Sequence, residues 1–85
     1  MDKEIKIDLK TGLQARAAAQ FVQEANRFSS EIFIEKDSKR ANAKSIMGLM
    51  SIALGPGETF TLIAEGKDEE QAIEVLSKFV STPVS

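Results

Sequence analysis

Ile5, Ile7 and Leu9 alternate with Lys6, Asp8 and Lys10, a period of two that predicts a strand over residues 3–9 with one wet face. From Ala15 the period lengthens. Ala18, Phe21, Val22, Ala25 and Phe28 recur at spacings of three and four, which predicts a helix over 15–27 with Gln20, Gln23, Glu24 and Arg27 turned outward. Residues 31–35 form a short β-branched and aromatic run. The polar Lys36-Asp37-Ser38-Lys39 turn leads into a weaker strand at 39–43, completing a hairpin. Residues 46–54 (IMGLMSIAL) are apolar nearly all round, so period alone does not separate helix from buried strand; Ser45 in front and Gly55-Pro56-Gly57 behind favour a helix. Helical period would bury positions 46, 49, 50 and 53 and leave Met47 and Leu54 outside. Residues 59–64 alternate again, with Phe60, Leu62 and Ala64 on one side. A last helix follows Asp68 as its cap, with Gln71 three residues on, Ala72, Ile73, Leu76, Phe79 and Val80 as its stripe, and Pro83 marking its end. The order β-α-β-β-α-β-α with half-polar strands requires the helices to lie together on one face, giving an open-faced α+β sandwich.

Composition narrows the chemistry. Eighty-five residues at 42% hydrophobic content suffice for one core, so a single domain over 1–85 is expected. The chain has no Cys and no His, which removes thiolate nucleophiles, cysteine zinc sites, the commonest general base and any phosphohistidine. No cofactor, metal site or enzymatic activity is expected. The charged start MDKEIKIDLK has no apolar leader, and no window approaches the roughly 18 apolar residues of a membrane span, so a cytoplasmic location without membrane association is expected. A net charge of -2 disfavours direct nucleic-acid binding. The local exception is the basic run Lys36, Lys39, Arg40 and Lys44, which reads either as a solvated hairpin tip or as a binding patch.

Two segments carry candidate chemistry. In Thr11-Gly12-Leu13-Gln14-Ala15-Arg16, a glycine in the strand-to-helix turn permits unusual backbone angles, and the helix start beyond it has unpaired N–H groups beside Arg16, a combination that attracts anions. From spacing alone the segment reads first as an ordinary βα turn with a surface arginine. In Asn42-Ala43-Lys44-Ser45-Ile46-Met47-Gly48-Leu49-Met50, Ser45 is either a plain N-cap or a phosphorylation site whose dianion would sit at the positive end of a helix. Lys44-Ser45 lacks the upstream glycines of a phosphate-binding P-loop. The short helix has more apolar residues than one buried face holds, so some are exposed, and flexible thioethers at Met47 and Met50 suit adaptable protein contacts.

At TGLQAR and NAKSIMGLM the chain resembles the HPr family, the histidine-containing phosphocarriers of the bacterial sugar phosphotransferase system, and the resemblance runs from about Lys3 to Val80. It implies an HPr-like fold with a four-stranded antiparallel sheet and three helices on one face. In the phosphocarriers the place of Gln14 is held by the histidine that accepts phosphate from phosphoenolpyruvate through enzyme I, which a carboxamide cannot do. The resemblance is nearest to the glutamine-bearing branch, the catabolite repression HPr-like proteins. It implies that Ser45 is the regulatory serine phosphorylated by HPr kinase/phosphorylase, and that the phosphorylated form is a corepressor of catabolite control protein A, a DNA-binding repressor. Family contacts with kinase and repressor carry over to Gln14, Arg16, Ile46, Met47 and Met50, which places Ile46 and Met50 outside, against the helical period. One departure is Ala17, where the family usually has proline; alanine leaves the helix start freer to fray. Two other readings stand beside this one: a modulator that binds a metabolic enzyme through Met47 and Met50, and a phosphotransfer component with a non-histidine acceptor.

Overall fold

The computed structural model describes residues 1–8, 12–13, 15–52 and 54–81. The elements are β1 (Asp2–Lys6), α1 (Ala15–Ala25), β2 (Glu31–Lys36), β3 (Lys39–Asn42), α2 (Ile46–Ile52), β4 (Thr59–Glu65) and α3 (Glu69–Ser81), in the predicted order. The four strands form one antiparallel sheet in the order β1-β4-β2-β3. Register sets the inner face: Ile5 stands opposite Phe60, Ile34 opposite Leu62, and Ile32 opposite Ala64. These side chains are buried in one cluster with Ala18, Phe21 and Ala25 of α1, Leu49 of α2, and Ala72, Ile73, Leu76 and Val80 of α3, so all three helices cover the same face. The rings of Phe21 and Phe79 meet edge to face, 6.1 Å between centroids, and join α1 to α3.

Boundaries differ from the sequence reading for local reasons. The regular part of β1 ends at Lys6 rather than at position 9, because beyond it two residues stand opposite one: the Ile7 N–H donates to the Glu58 carbonyl at 2.9 Å and the Ile7 carbonyl accepts from the Gly57 N–H at 2.9 Å, a bulge with Gly57 at φ 80°. Leu9 lies outside the described residues, as do Gln14, Ala53 and Pro83. Helix α1 stops two residues short of the expected end. There the Arg27 N–H turns to the Glu24 carbonyl, three residues back, at 3.1 Å. Ala17 is half-buried against the core. The hairpin closes through Asp37 and Ser38 at φ 52° and 68°, the left-handed pair that matches strand twist in a two-residue loop.

The start of α3 departs most from expectation. Asp68 precedes the helix as predicted, but its carboxylate reaches across the fold instead of closing on Gln71. It accepts from the Ser29 N–H at 2.9 Å, the Ser30 N–H at 3.0 Å and the Ser30 hydroxyl. The Gly66 backbone lies so close to Ser30 that a Cβ there would stand 2.6 Å from Ser30 Oγ and 2.7 Å from Ser30 Cα, which leaves room for glycine and no larger residue. The Ser30 hydroxyl first, then the Ser29 amide, lower the pKa of Asp68 from 3.8 to about 2.

Candidate functional site

Ser45 sits where β3 hands over to α2. Asn42 makes that corner: its Oδ1 accepts from the Lys44 N–H at 2.8 Å, a side-chain turn that mimics a backbone turn, while its carbonyl accepts from the Ser45 N–H at 3.1 Å. Ser45 then caps the helix. Its Oγ accepts from the Gly48 N–H at 3.2 Å and its carbonyl from the Leu49 N–H at 3.1 Å. Ser45 is half-buried, and among the described residues its hydroxyl makes this one local bond.

Around it lies an apolar surface. Ile46, Met47 and Met50 are 42%, 80% and 47% exposed, whereas Leu49 is buried and Ile52 packs on the core. At about 100° per residue, positions 46, 50 and 47 share one arc of α2, and 49, 52 and 48 the opposite one. The helical period placed 46 and 50 inside, and the structure corrects it. The cause is Gly48: a Cβ there would stand 3.0 Å from the Asn42 carbonyl and 3.5 Å from Ala41 Cβ, so the bare backbone at this position lets α2 press its 48–52 side onto β3. The rest of the helix rotates outward. Leu54, expected outside, is fully buried, because the helix has ended and the Leu54 carbonyl accepts from the Leu13 N–H at 2.9 Å.

That same bond ties the first candidate segment to the chain that follows α2. Gly12 takes φ 68°, and a Cβ on it would sit 2.5 Å from the Leu54 carbonyl oxygen, so the turn before α1 is seated against the segment that follows α2. Arg16 is exposed in the first turn of α1, on a helix that packs against α2. The structure therefore brings Ile46, Met47 and Met50 together with Ser45, and sets Arg16 on the neighbouring helix near the far end of α2. Gln14 is outside the described residues.

The basic run is dispersed over separate contacts. Lys36 pairs with Glu58, Arg40 stacks over the Phe33 ring at 4.4 Å, and Lys44 Nζ donates to the Phe28 carbonyl at 2.7 Å, tying the end of α1 to the corner before Ser45. Asn42 and Lys44 were not read from the sequence as supports of Ser45. The Asn two residues before Lys44 was the available signal for the turn.

The family model described as PTS HPr component phosphorylation site matches residues 1–82, and the chain belongs to the HPr family. The HPr-like protein Crh of Halalkalibacterium halodurans is 66% identical over 80 residues, 94% of this chain and 95% of that one. Crh of Bacillus subtilis is 57% identical over 84 residues, 99% of each. A crystal structure of the phosphocarrier protein HPr from Bacillus anthracis superposes with a TM-score of 0.94 at 57% identity, covering 95% of this chain and 96% of that one. The fold is thus shared by phosphocarriers and Crh proteins alike, and this chain, without histidine, is Crh-like. Among the described residues no helix is long and apolar enough to cross a membrane.

Proposed function

We propose that this protein is a cytoplasmic regulator in carbon catabolite repression: HPr kinase/phosphorylase phosphorylates Ser45, and the modified protein docks on catabolite control protein A as corepressor without touching DNA itself. The observation that carries the reading is a serine hydroxyl that, among the described residues, is held by a single bond, from the Gly48 N–H, beside exposed Ile46, Met47 and Met50. In the transfer, the Ser45 oxygen bonds to the γ-phosphorus of ATP as the bond to the β-phosphate bridging oxygen breaks, and the hydroxyl proton leaves to a base on the kinase. The Gly48 N–H then has phosphoryl oxygens within reach, so the cap survives the modification. About -1.5 to -2 charges are added to a chain of net -2, next to an apolar patch. A partner presenting arginine or lysine beside apolar side chains would recognise the modified form and not the bare one. Sugar transport through a phosphohistidine is closed to a chain with no histidine.

The test is to treat the protein with HPr kinase/phosphorylase and ATP, locate the phosphate by mass spectrometry, and titrate both forms into catabolite control protein A. One phosphate at Ser45 and binding by the modified form alone are expected. Phosphate elsewhere, or equal affinity of the two forms, sinks the reading. The exposed thioethers favour a second role for the bare form, as a modulator bound to a metabolic enzyme; a pull-down with unmodified protein that loses its catch on Met47→Gln substitution would support it.

A further inference from the structure

The chain holds three methionines and no Cys, His, Trp or Tyr, so the side chains that peroxides oxidise under mild conditions are reduced to thioethers. Those thioethers are not equivalent. Met1 is 45% exposed and Met50 47%, but Met47 is 80% exposed, and the two internal methionines lie one turn apart on the arc of α2 beside Ser45. The most exposed thioether, that of Met47, therefore lies on the same surface as the proposed phosphorylation.

We propose that Met47, and after it Met50, are reversible oxidation sites, and that their sulfoxides switch off the docking surface independently of Ser45; the switch rests on the docking reading above. The sulfur lone pair attacks an oxygen of hydrogen peroxide, the O–O bond breaks, an S–O bond forms, and proton transfer releases water. Sulfur is oxidised by two electrons and peroxide is reduced. In the return step two thiols of a methionine sulfoxide reductase supply the electrons, close to a disulfide, and release the oxygen as water. The product is a polar acceptor where a partner meets apolar surface. The core is untouched, because Leu49 and Ile52 hold α2 in place from its other side.

The experiment treats the full chain with dilute hydrogen peroxide and follows each methionine by peptide mass mapping. Met47 is expected to oxidise several times faster than Met1. Thermal unfolding should stay within a few degrees of the untreated protein, which separates loss of a surface from loss of fold. Phosphorylated protein is then titrated into catabolite control protein A before oxidation, after it, and after reductase treatment. Roughly tenfold weaker binding, reversed by the reductase, is expected. In Met47→Leu/Met50→Leu, peroxide should cause no loss relative to that variant's own untreated form. Equal oxidation of all three methionines overturns the site, and unchanged affinity at full oxidation overturns the switch. A repressor that ignores the unoxidised phosphoprotein as well sinks the docking reading and the switch with it, while the oxidation map still decides the site.

Discussion

Two helix starts in this molecule use a small polar side chain, and they use it in opposite ways. At α3, Asp68 is already charged, and its carboxylate gathers two backbone N–H groups and a hydroxyl from Ser29 and Ser30, 38 to 39 residues away in sequence. At α2, Ser45 is neutral, and its hydroxyl accepts one bond from three residues ahead. A polar group whose partners come from distant chain is part of what holds the fold, and altering it leaves several donors unpaired. A group held by a single local bond can be esterified and the helix keeps its cap. The surroundings follow the same division: Ser30 is buried next to Asp68, whereas Ile46, Met47 and Met50 stand in solvent next to Ser45.

The strongest way to break this contrast is to disturb the clasp at Gly66. Gly66→Ala puts a Cβ inside contact distance of Ser30, at a φ of 153° that side chains rarely adopt, and a loss of about 1–3 kcal/mol is expected. For a domain of this size that lowers Tm by roughly 4–8 °C per kcal/mol, readable by scanning calorimetry. Gly57→Ala is the control: its φ of 80° also opposes a side chain, but nothing lies within 4 Å, so a smaller drop of about 1 kcal/mol isolates the backbone share. Equal losses at the two glycines would mean that the approach to Ser30 contributes nothing. Ser45→Ala should cost about 1 kcal/mol through the lost cap, in urea unfolding followed by circular dichroism, while removing all phosphorylation by the kinase.

Acid titration sharpens the contrast from the other side. Asp68 has a folded pKa of about 2 against an ordinary 3.8, so its contribution is complete above pH 3.8 and is lost as pH falls through about 2. Asp68→Asn should therefore flatten the fall of stability between pH 4 and pH 2 relative to the parent, and lower stability at neutral pH, since an amide turns an N–H₂ group toward donors. Glu69 is lowered too, chiefly by the Gly66 N–H, and keeps a shallower slope of the same sign in the variant. Melting temperatures at intervals from pH 2 to pH 7 give the comparison. Parallel curves for parent and variant would show that the Ser29 and Ser30 bonds do not discriminate the carboxylate.

Legibility in the sequence followed the same line between local and distant. Alternation in Phe60, Leu62 and Ala64 gave β4 and its inner face, and the stripe Ala72, Ile73, Leu76 and Val80 gave α3, because each element is long enough for several repeats to agree. Ser45 as the cap of α2 was legible for the same reason: the bond spans three residues. The orientation of α2 was not, because seven residues give period little to average over and the deciding contact, Gly48 against Asn42, belongs to another element. Asp68 carries the signature of an ordinary cap, and nothing beside it in the chain points to Ser29 and Ser30 as its partners. The family resemblance placed Ile46 and Met50 outside where period did not, since a family's contact surface already contains the tertiary fact.

The smallest effect on stability should accompany the most selective effect on docking, at Met47. Its side chain is 80% exposed, so Met47→Gln removes almost no buried apolar area and should shift unfolding by less than about 0.5 kcal/mol. Helix propensity is nearly unchanged, because methionine and glutamine are comparable helix formers. Against catabolite control protein A, in contrast, a thioether buried at an interface contributes about 1.5–3 kcal/mol, so the phosphorylated variant should bind roughly tenfold or more weakly. Phosphorylation itself supplies an internal reference, since Ser45 keeps its bond to the Gly48 N–H in the variant and its occupancy can be read from the mass spectrum of the sample used for titration. If Met47→Gln bound the repressor as tightly as the parent at equal phosphate occupancy, the exposed arc of α2 would be idle and the docking surface would have to be sought around Arg16 on α1.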